Sequence, residues 1–174
     1  MAATFIVEDG TGLVDANAYI DVAFADQYHE NYGAPIEWSS STTAQKQEAI
    51  RFATRYLDSG YSSRWRGARA DEEQALDHPR RRVYDVDGWT RDDDEVFVEV
   101  QQATAIAALK HRQGELFLPD VEGSDIGVVS ESVSVGPISE SKSYSGTKRT
   151  FKRFSQIEAT LRPILERAGR RERA

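Results

Sequence analysis

Apolar residues recur at steps of three and four positions in several stretches of the chain, which is the spacing of an amphipathic helix. The clearest stretch begins after Thr42 and Gln45, whose three-residue separation is that of a capping box. Gly60 predicts the end of this helix, because glycine tolerates the left-handed conformation that follows a last turn. The residues predicted to be buried on it are Ala49, Ile50, Ala53, Tyr56 and Leu57.

Two further helices flank this one. Asp21 is a predicted N-cap for a helix that ends at Gly33, and Asp92 with Glu95 has capping-box spacing for a helix that runs to Gly114. The residues predicted to be buried on the first are Val22, Phe24, Ala25, Tyr28 and Tyr32, and the apolar pattern of the second is carried by Val96, Val100, Ala103, Ala107 and Leu109.

A last helix is predicted from a capping box of Ser155 and Glu158. Pro163 should kink or interrupt it, because proline lacks the amide that a helix interior needs. Residues 71–76 could add one or two helical turns before Pro79. The apolar side of the last helix carries Ile157, Leu161, Ile164, Leu165 and Ala168.

Beyond Pro119 the period changes from about four to two, which is typical of strands. A type II′ turn at Gly136-Pro137 would align two runs into a hairpin. A two-stranded hairpin is marginal in water by itself, so we expect it to project and pair with another subunit; a flexible serine-rich loop is the alternative. The predicted pairs are Val135 with Ile138, Ser134 with Ser139, Val133 with Glu140, Ser132 with Ser141, Glu131 with Lys142, Ser130 with Ser143 and Val129 with Tyr144.

The 174 residues suffice for one domain with a buried core. We predict a mainly α fold, a bundle of about four helices with a projecting β-hairpin and an extended C-terminal helix and tail. Its expected parts are a helical body (1–120), a hairpin excursion (121–147) and a C-terminal helix with a basic tail (148–174). Cysteine is absent, which excludes disulfides and thiolate metal sites. No apolar run of about eighteen residues predicts a membrane span, and without a basic, apolar leader we expect synthesis in the cytoplasm.

Charge is divided unevenly along the chain. Residues 148–174 hold nine basic and three acidic residues, a charge of +6, and residues 1–147 hold 13 basic and 26 acidic residues, a charge of −13. This asymmetry favours a tail that docks on an acidic surface or contacts nucleic acid, and a body that repels DNA at long range. A solvated, frayed terminus is the alternative.

Patterns typical of catalysis or of a bound cofactor are missing from the sequence. His29, His78 and His111 are far apart, and none has ligand spacing from another histidine or a carboxylate on one helix face. There is no P-loop, dinucleotide glycine motif or nucleophile elbow. The acidic clusters at 71–73 and 92–94 are interpreted as capping and solvation. We therefore expect no enzyme activity and no cofactor.

The stretch from 61 to 82 alternates aromatic residues with arginines, which favours two interpretations. The rings could stack on bases while the arginines neutralise phosphates, as in single-strand binders. Alternatively, Tyr61 and Trp65 fill the core while the arginines pair with the acids at 71–73 and 92–94. The net negative charge of residues 1–147 favours the second interpretation, because it opposes binding to nucleic acid. Candidate nucleic-acid contacts under the first are Tyr61, Arg64, Trp65, Arg66, Arg80 and Arg81.

The order of several short motifs resembles the head–tail connector adaptors of tailed phages, a family some of whose members are labelled DnaT-like single-strand DNA-binding proteins. The resemblance spans nearly the whole chain, with His78 in place of a tryptophan and Arg82 in place of a common glycine. The motifs are IVEDGTG at 6–12, NAYI at 17–20, ATRYLD at 53–58, RWRG at 64–67, QALDHPR at 74–80, VYDVDG at 83–88 and VSESV at 129–133.

The resemblance implies a structural protein of the phage neck, made in the host cytoplasm and located in the virion. Such adaptors form a ring, commonly of twelve copies, beneath the portal and continue the channel for double-stranded DNA without sequence-specific binding. The implied partners are the portal protein, a stopper or tail-completion protein and further copies of the chain. The hairpin would supply subunit or next-ring contacts through Val129, Glu131, Val133, Val135, Ile138, Lys142 and Tyr144, and portal docking would use Lys148, Arg149, Phe151, Lys152, Arg153 and Phe154.

Overall fold

The computed structural model describes residues 4–85, 88–116, 130–135, 138–143 and 153–166. The chain divides into two compact units, one formed by Met1–Leu116 with Arg153–Ala174 and the other by Phe117–Lys152. The fold is mainly α, and the described residues include four helices of seven residues or more. Among these residues, no helix combines the length and apolar character that crossing a membrane requires.

In the first unit, the described residues form helices, two 3-10 turns and one short antiparallel ladder. The helices are α1 (Val22–Asn31), α2 (Ile36–Ser39), α3 (Thr43–Tyr61), α4 (Val98–Arg112) and α5 (Ser155–Leu161). The 3-10 turns are Ser62–Arg64 and Arg162–Ile164, and β1 (Ala68–Arg69) pairs with β2 (Arg80–Arg81).

Helix α3 confirms the prediction of its start. The Thr42 hydroxyl accepts from the Gln45 amide, and the Gln45 side chain accepts in return from the Thr42 amide. All five residues predicted to face the core are buried. The predicted end at Gly60 is wrong by one residue, because the chain continues helically to Tyr61, whose side chain is packed inside the protein.

Helix α1 begins at the predicted cap, since the Asp21 carboxylate accepts from the Phe24 amide at 2.7 Å. Its buried residues are Ala25 and His29, whereas Tyr32 is exposed, contrary to the prediction. The helix has ended by that position, so Tyr32 no longer follows the helical spacing.

The predicted capping box of Asp92 and Glu95 is wrong. Helix α4 begins at Val98, and no side chain caps it. Residues before it are held by tertiary packing: Phe97 is fully buried, and the Asp94 carbonyl lies against Gly10.

The predicted capping box of Ser155 and Glu158 is also wrong, because Ser155 is itself the first residue of α5 and Glu158 pairs with arginines. The interruption at Pro163 is confirmed, since α5 gives way there to a 3-10 turn. Four of the predicted core residues, Ile157, Leu161, Ile164 and Leu165, are buried, and Ala168 lies outside the described residues. Segment 71–76 is not helical.

The core lies where α3, α4 and α5 pack together. Four alanines of α4 are completely buried, and their small side chains permit close helix contact. Backbone bonds attach the segment after α5 to the segment after α3: the Arg66 amide donates to the Ile164 carbonyl at 3.1 Å and the Glu166 amide to the Arg64 carbonyl at 2.7 Å. The alanines are Ala103, Ala105, Ala107 and Ala108.

The second unit contains the hairpin of β3 (Ser130–Val135) and β4 (Ile138–Ser143). Its antiparallel register confirms the six predicted pairs from Val135 with Ile138 to Ser130 with Ser143. The predicted turn residues and the outer pair, Val129 with Tyr144, lie outside the described residues.

Candidate nucleic-acid interface

The two aromatic residues predicted as candidate base contacts are inside the protein. Tyr61 is 0% exposed and Trp65 is 3% exposed. The indole nitrogen of Trp65 donates to the Asp77 carboxylate at 3.1 Å, and its ring meets that of His78 edge-on at 4.6 Å. Neither ring offers a free face to a base, and both fill the core as the alternative interpretation expected.

Arg64 and Arg80 are bound within the fold. Arg64 donates to the Glu158 carboxylate at 2.9 Å, and Arg153 donates to the same oxygen at 2.8 Å. Arg80 is 8% exposed and its guanidinium donates to the carbonyls of Arg66, Gly67 and Asp77 at 2.8, 2.8 and 3.1 Å. These partners are not the acids at 71–73 and 92–94 that the sequence suggested.

A buried polar network positions the segment that carries these arginines. The Tyr19 hydroxyl donates to Asp58 on α3 and accepts from the amides of Asp77 and His78 at 3.1 and 3.3 Å. Burial raises the pKa of Asp58 to about 7, with a further contribution from the charge of Asp77. Burial also lowers the pKa of His78 well below its usual value, as does Arg80, so this imidazole is neutral.

Gln74 fixes the same segment from within. Its amide nitrogen donates to the carbonyls of Leu76 and Pro79, and its oxygen accepts from the Asp71 amide at 2.8 Å. The segment is held by these side-chain bonds and does not form the helical turns predicted for 71–76. The His78-Pro79 peptide bond is cis.

Three further arginines have backbones that lie close to Arg80. Arg81 is exposed and lies opposite Ala68 in the ladder, and Arg82 follows it with a φ of 60°. That left-handed angle explains why glycine would suit position 82. Arg66 donates to the Tyr84 carbonyl at 3.2 Å. None of these three arginines forms an ion pair within the part of the chain that the structure describes.

The Tyr84 backbone lies within hydrogen-bond distance of Arg66, and the Trp89 backbone is bonded to Asp85, which follows Tyr84. Tyr84 forms an antiparallel bridge with Thr90, the Asp85 amide donates to the Trp89 carbonyl, and the Trp89 amide donates to the Asp85 carboxylate, each of these two bonds being 2.9 Å long. The side chain of Tyr84 is 54% exposed and that of Trp89 is 74% exposed. We call Arg66, Arg81, Arg82, Tyr84 and Trp89 the arginine–aromatic surface.

Sequence reasoning missed the two aromatic members of this surface. It gave neither Tyr84 nor Trp89 a function. Large aromatic side chains in a stretch of Asp and Gly, where no helical or strand period buries them, are the pattern that could have identified them.

The residues expected to dock on a portal are only partly described. Arg153 pairs with Glu158 and lies 5.8 Å from the Tyr61 ring centre, and Phe154 lies 6.0 Å from the Tyr56 ring centre. Lys148, Arg149, Phe151 and Lys152 lie outside the described residues. Of the hairpin residues expected to contact other subunits, Glu131, Val133, Val135, Ile138 and Lys142 occupy their predicted register positions.

The three histidines lie in separate parts of the fold and have different neighbours. His29 lies 3.1 Å from the Ala105 carbonyl oxygen, His78 is enclosed by rings, and His111 stacks on Phe52 at 4.5 Å. Across the described residues, no group of three His, Cys, Asp or Glu side chains is placed to hold a metal ion.

A comparison with protein families matches residues 3–174 to the family described as "Putative DnaT-like ssDNA binding protein". Comparisons with curated proteins and with solved structures gave no significant match.

Proposed function

We propose that this chain, which belongs to the DnaT-like single-strand DNA-binding family over nearly its whole length, binds single-stranded DNA as an accessory protein without catalysing a reaction. The observation that supports this function is the set of three arginines, Arg66, Arg81 and Arg82, that meet the solvent without a carboxylate partner among the described residues. Guanidinium groups left unpaired on a surface are available to phosphates.

The negative charge of the body limits the affinity but does not prevent contact. Between residues 1 and 147 the charge is −13, which repels DNA at long range. That repulsion is screened beyond about 8 Å at physiological ionic strength. We therefore expect modest, strongly salt-dependent binding in which local contacts outweigh the distant charges.

A titration of labelled oligothymidine tests this function. Fluorescence anisotropy at several salt concentrations should show a log–log slope of about −2, because each phosphate contact on a single strand contributes about −0.7. A duplex of equal length serves as the comparison and should bind more weakly. Absence of binding at low salt would refute the proposal.

A second candidate function is the ring adaptor of a phage neck, which the motif order suggests and the comparisons do not name. The hairpin favours it. Its two strands form part of a unit of their own and pair over six residues, and an isolated two-stranded hairpin needs further packing to be stable in water. In this function the hairpin packs on a neighbouring copy or the next ring, with the portal and a stopper or tail-completion protein as partners in the virion neck.

Native mass spectrometry with the portal protein encoded nearest in the genome tests the adaptor. About twelve copies on one portal ring would support it, and no association with an intact portal would count against it. Val133→Asp with Ile138→Asp should reduce assembly more than the stability of the first unit. The tail should be tested by deleting residues 167–174, because a larger deletion from 148 would also remove Ile157 and Leu161 from the core.

A further inference from the structure

We infer that the arginine–aromatic surface is the place where single-stranded DNA binds, with Trp89 and Tyr84 stacking on bases and Arg66, Arg81 and Arg82 contacting phosphates. This inference rests on the proposed function and gives it a location. It replaces the buried pair Tyr61 and Trp65 with two rings that are accessible.

The aromatic members are suited to stacking because they are both exposed and held. Among the large apolar side chains that the structure describes, Trp89 has the largest exposed fraction, at 74%. Its backbone is fixed at both its amide and its carbonyl by Asp85, and Tyr84 is fixed by the bridge to Thr90. A ring on a fixed backbone loses little conformational freedom when a base stacks on it.

The arginines are supported from below by the fold. Arg80 binds the carbonyls of Arg66 and Gly67 and so holds the segment after α3 against β2. A side chain at Gly67 would lie 2.3 Å from the Arg81 carbonyl oxygen, which shows how closely the two segments approach. Because these backbones are fixed, the cationic side chains of Arg66 and Arg81 start from defined positions.

The combination favours a single strand over a duplex or a protein partner. Stacking requires base faces, which a duplex keeps covered and a single strand exposes. Three arginines that have no carboxylate partner among the described residues complement the phosphates of a single strand. Self-association through this surface, without an effect of the surface variants on DNA affinity, would refute the inference.

The distribution of tryptophans gives a direct measurement. Trp38 and Trp65 are 2% and 3% exposed, so Trp89 is the tryptophan that added DNA can reach. Titrating unlabelled oligothymidine into the full chain should quench the indole emission, and Trp89→Phe should abolish most of the quenching. Quenching that persists in Trp89→Phe would place the contact elsewhere.

Affinity measurements locate the remaining contacts. Trp89→Ala should weaken oligothymidine binding at least about fivefold, and Tyr84→Ala should also weaken it, whereas Tyr32→Ala, which removes a tyrosine exposed on α1's end, should not. The double variant Arg81→Gln with Arg82→Gln should make the log–log salt slope less negative by about 1.4. The double variant Arg55→Gln with Arg162→Gln removes the same charge elsewhere and should leave the slope unchanged.

The outcomes separate the inference from the function. Binding that is unchanged in the surface variants would refute this location while leaving single-strand binding intact. Absence of oligothymidine binding by the wild-type chain would refute both. Surface variants that alter self-association in sedimentation velocity, without altering DNA affinity, would show that the surface joins copies of the chain. Circular dichroism confirms that each variant is folded.

Discussion

The buried carboxyl group of Asp58 should make stability depend on pH in a defined direction. Burial, together with the charge of Asp77, raises its pKa from 3.8 to about 7, although the Tyr19 hydroxyl donates to it. Between these values the folded protein retains a proton that the unfolded chain releases. The free energy of unfolding should therefore fall as the pH rises from about 4 to 7, and Asp58→Asn should remove this decrease.

The two pKa values set the size of the effect. Each pKa unit corresponds to about 1.4 kcal/mol, so the interval from 3.8 to about 7 gives an upper bound of about 4 kcal/mol. Structural relaxation and water reduce such values, and we expect roughly 2 kcal/mol. Urea denaturation of both proteins between about pH 4.5 and 8.5 measures it. The stability of the wild type minus that of Asp58→Asn should fall with pH and level off above about 7.

Glu158→Gln provides a control of opposite sign. Burial alone would raise the pKa of Glu158, but its bonds and charge interactions with Arg64 and Arg153 lower it overall. Its contribution to stability is therefore complete above the ordinary pKa of 4.5 and is lost as the pH falls below that value. In curves extended to about pH 3, the difference between wild type and Glu158→Gln should rise with pH up to about 5 and then stay level, in the range where the Asp58 difference still falls. Parallel stability curves for the wild type and Asp58→Asn would refute the assignment of a raised pKa to Asp58.

Three other substitutions, with Gly33→Ala as a comparison for the first, test how the loops are held. Gly10→Ala should destabilise the fold by more than about 3 kcal/mol, because the added Cβ would lie 1.9 Å from the Asp94 carbonyl oxygen. Gly33 has a φ of 104° but lies in open space, so Gly33→Ala should cost only about 1–2 kcal/mol of backbone strain. Equal losses of stability in urea denaturation would contradict the clash at Gly10. Glu8→Gln should lose about 1–3 kcal/mol of unfolding free energy, because the Glu8 carboxylate accepts hydrogen bonds from the amides of residues 10, 12 and 13. Hydrogen exchange at these three amides should become faster. Arg80→Lys should lose about 1–3 kcal/mol in thermal unfolding, since an ammonium cannot reproduce the fork that binds three carbonyls; an unchanged melting temperature would show that those bonds are dispensable.

The elements that could be predicted from sequence are those specified by local contacts. The cap of α3 depends on Thr42 and Gln45, which are three residues apart, and the hairpin register follows from the alternation on either side of its turn. Both are encoded within a few neighbouring positions. The mainly α character follows for the same reason, because helical spacing is a local property.

Two of the predictions that were wrong, the caps of α4 and α5, involve residues whose partners are distant in sequence. Glu158 has capping-box spacing from Ser155, but its carboxylate binds Arg64, 94 residues away. The acids before α4 look like a cap, yet the chain there is held by Gly10 against the Asp94 carbonyl. A local pattern cannot show a partner that only the tertiary fold brings near.

The candidate site shows how a local pattern can identify a stretch and still misassign its residues. Arg80 and Arg81 are adjacent, but one is buried against carbonyls and the other is exposed, because successive residues of a strand point to opposite sides. Trp65 and Arg66 divide in the same way, with the ring in the core and the cation nearer the surface. All of these residues are basic or aromatic by type, but only those whose side chains are exposed can contact a ligand. The proposed location of the DNA contact therefore depends on Arg81 and Trp89 and not on the buried residues that first suggested nucleic-acid binding.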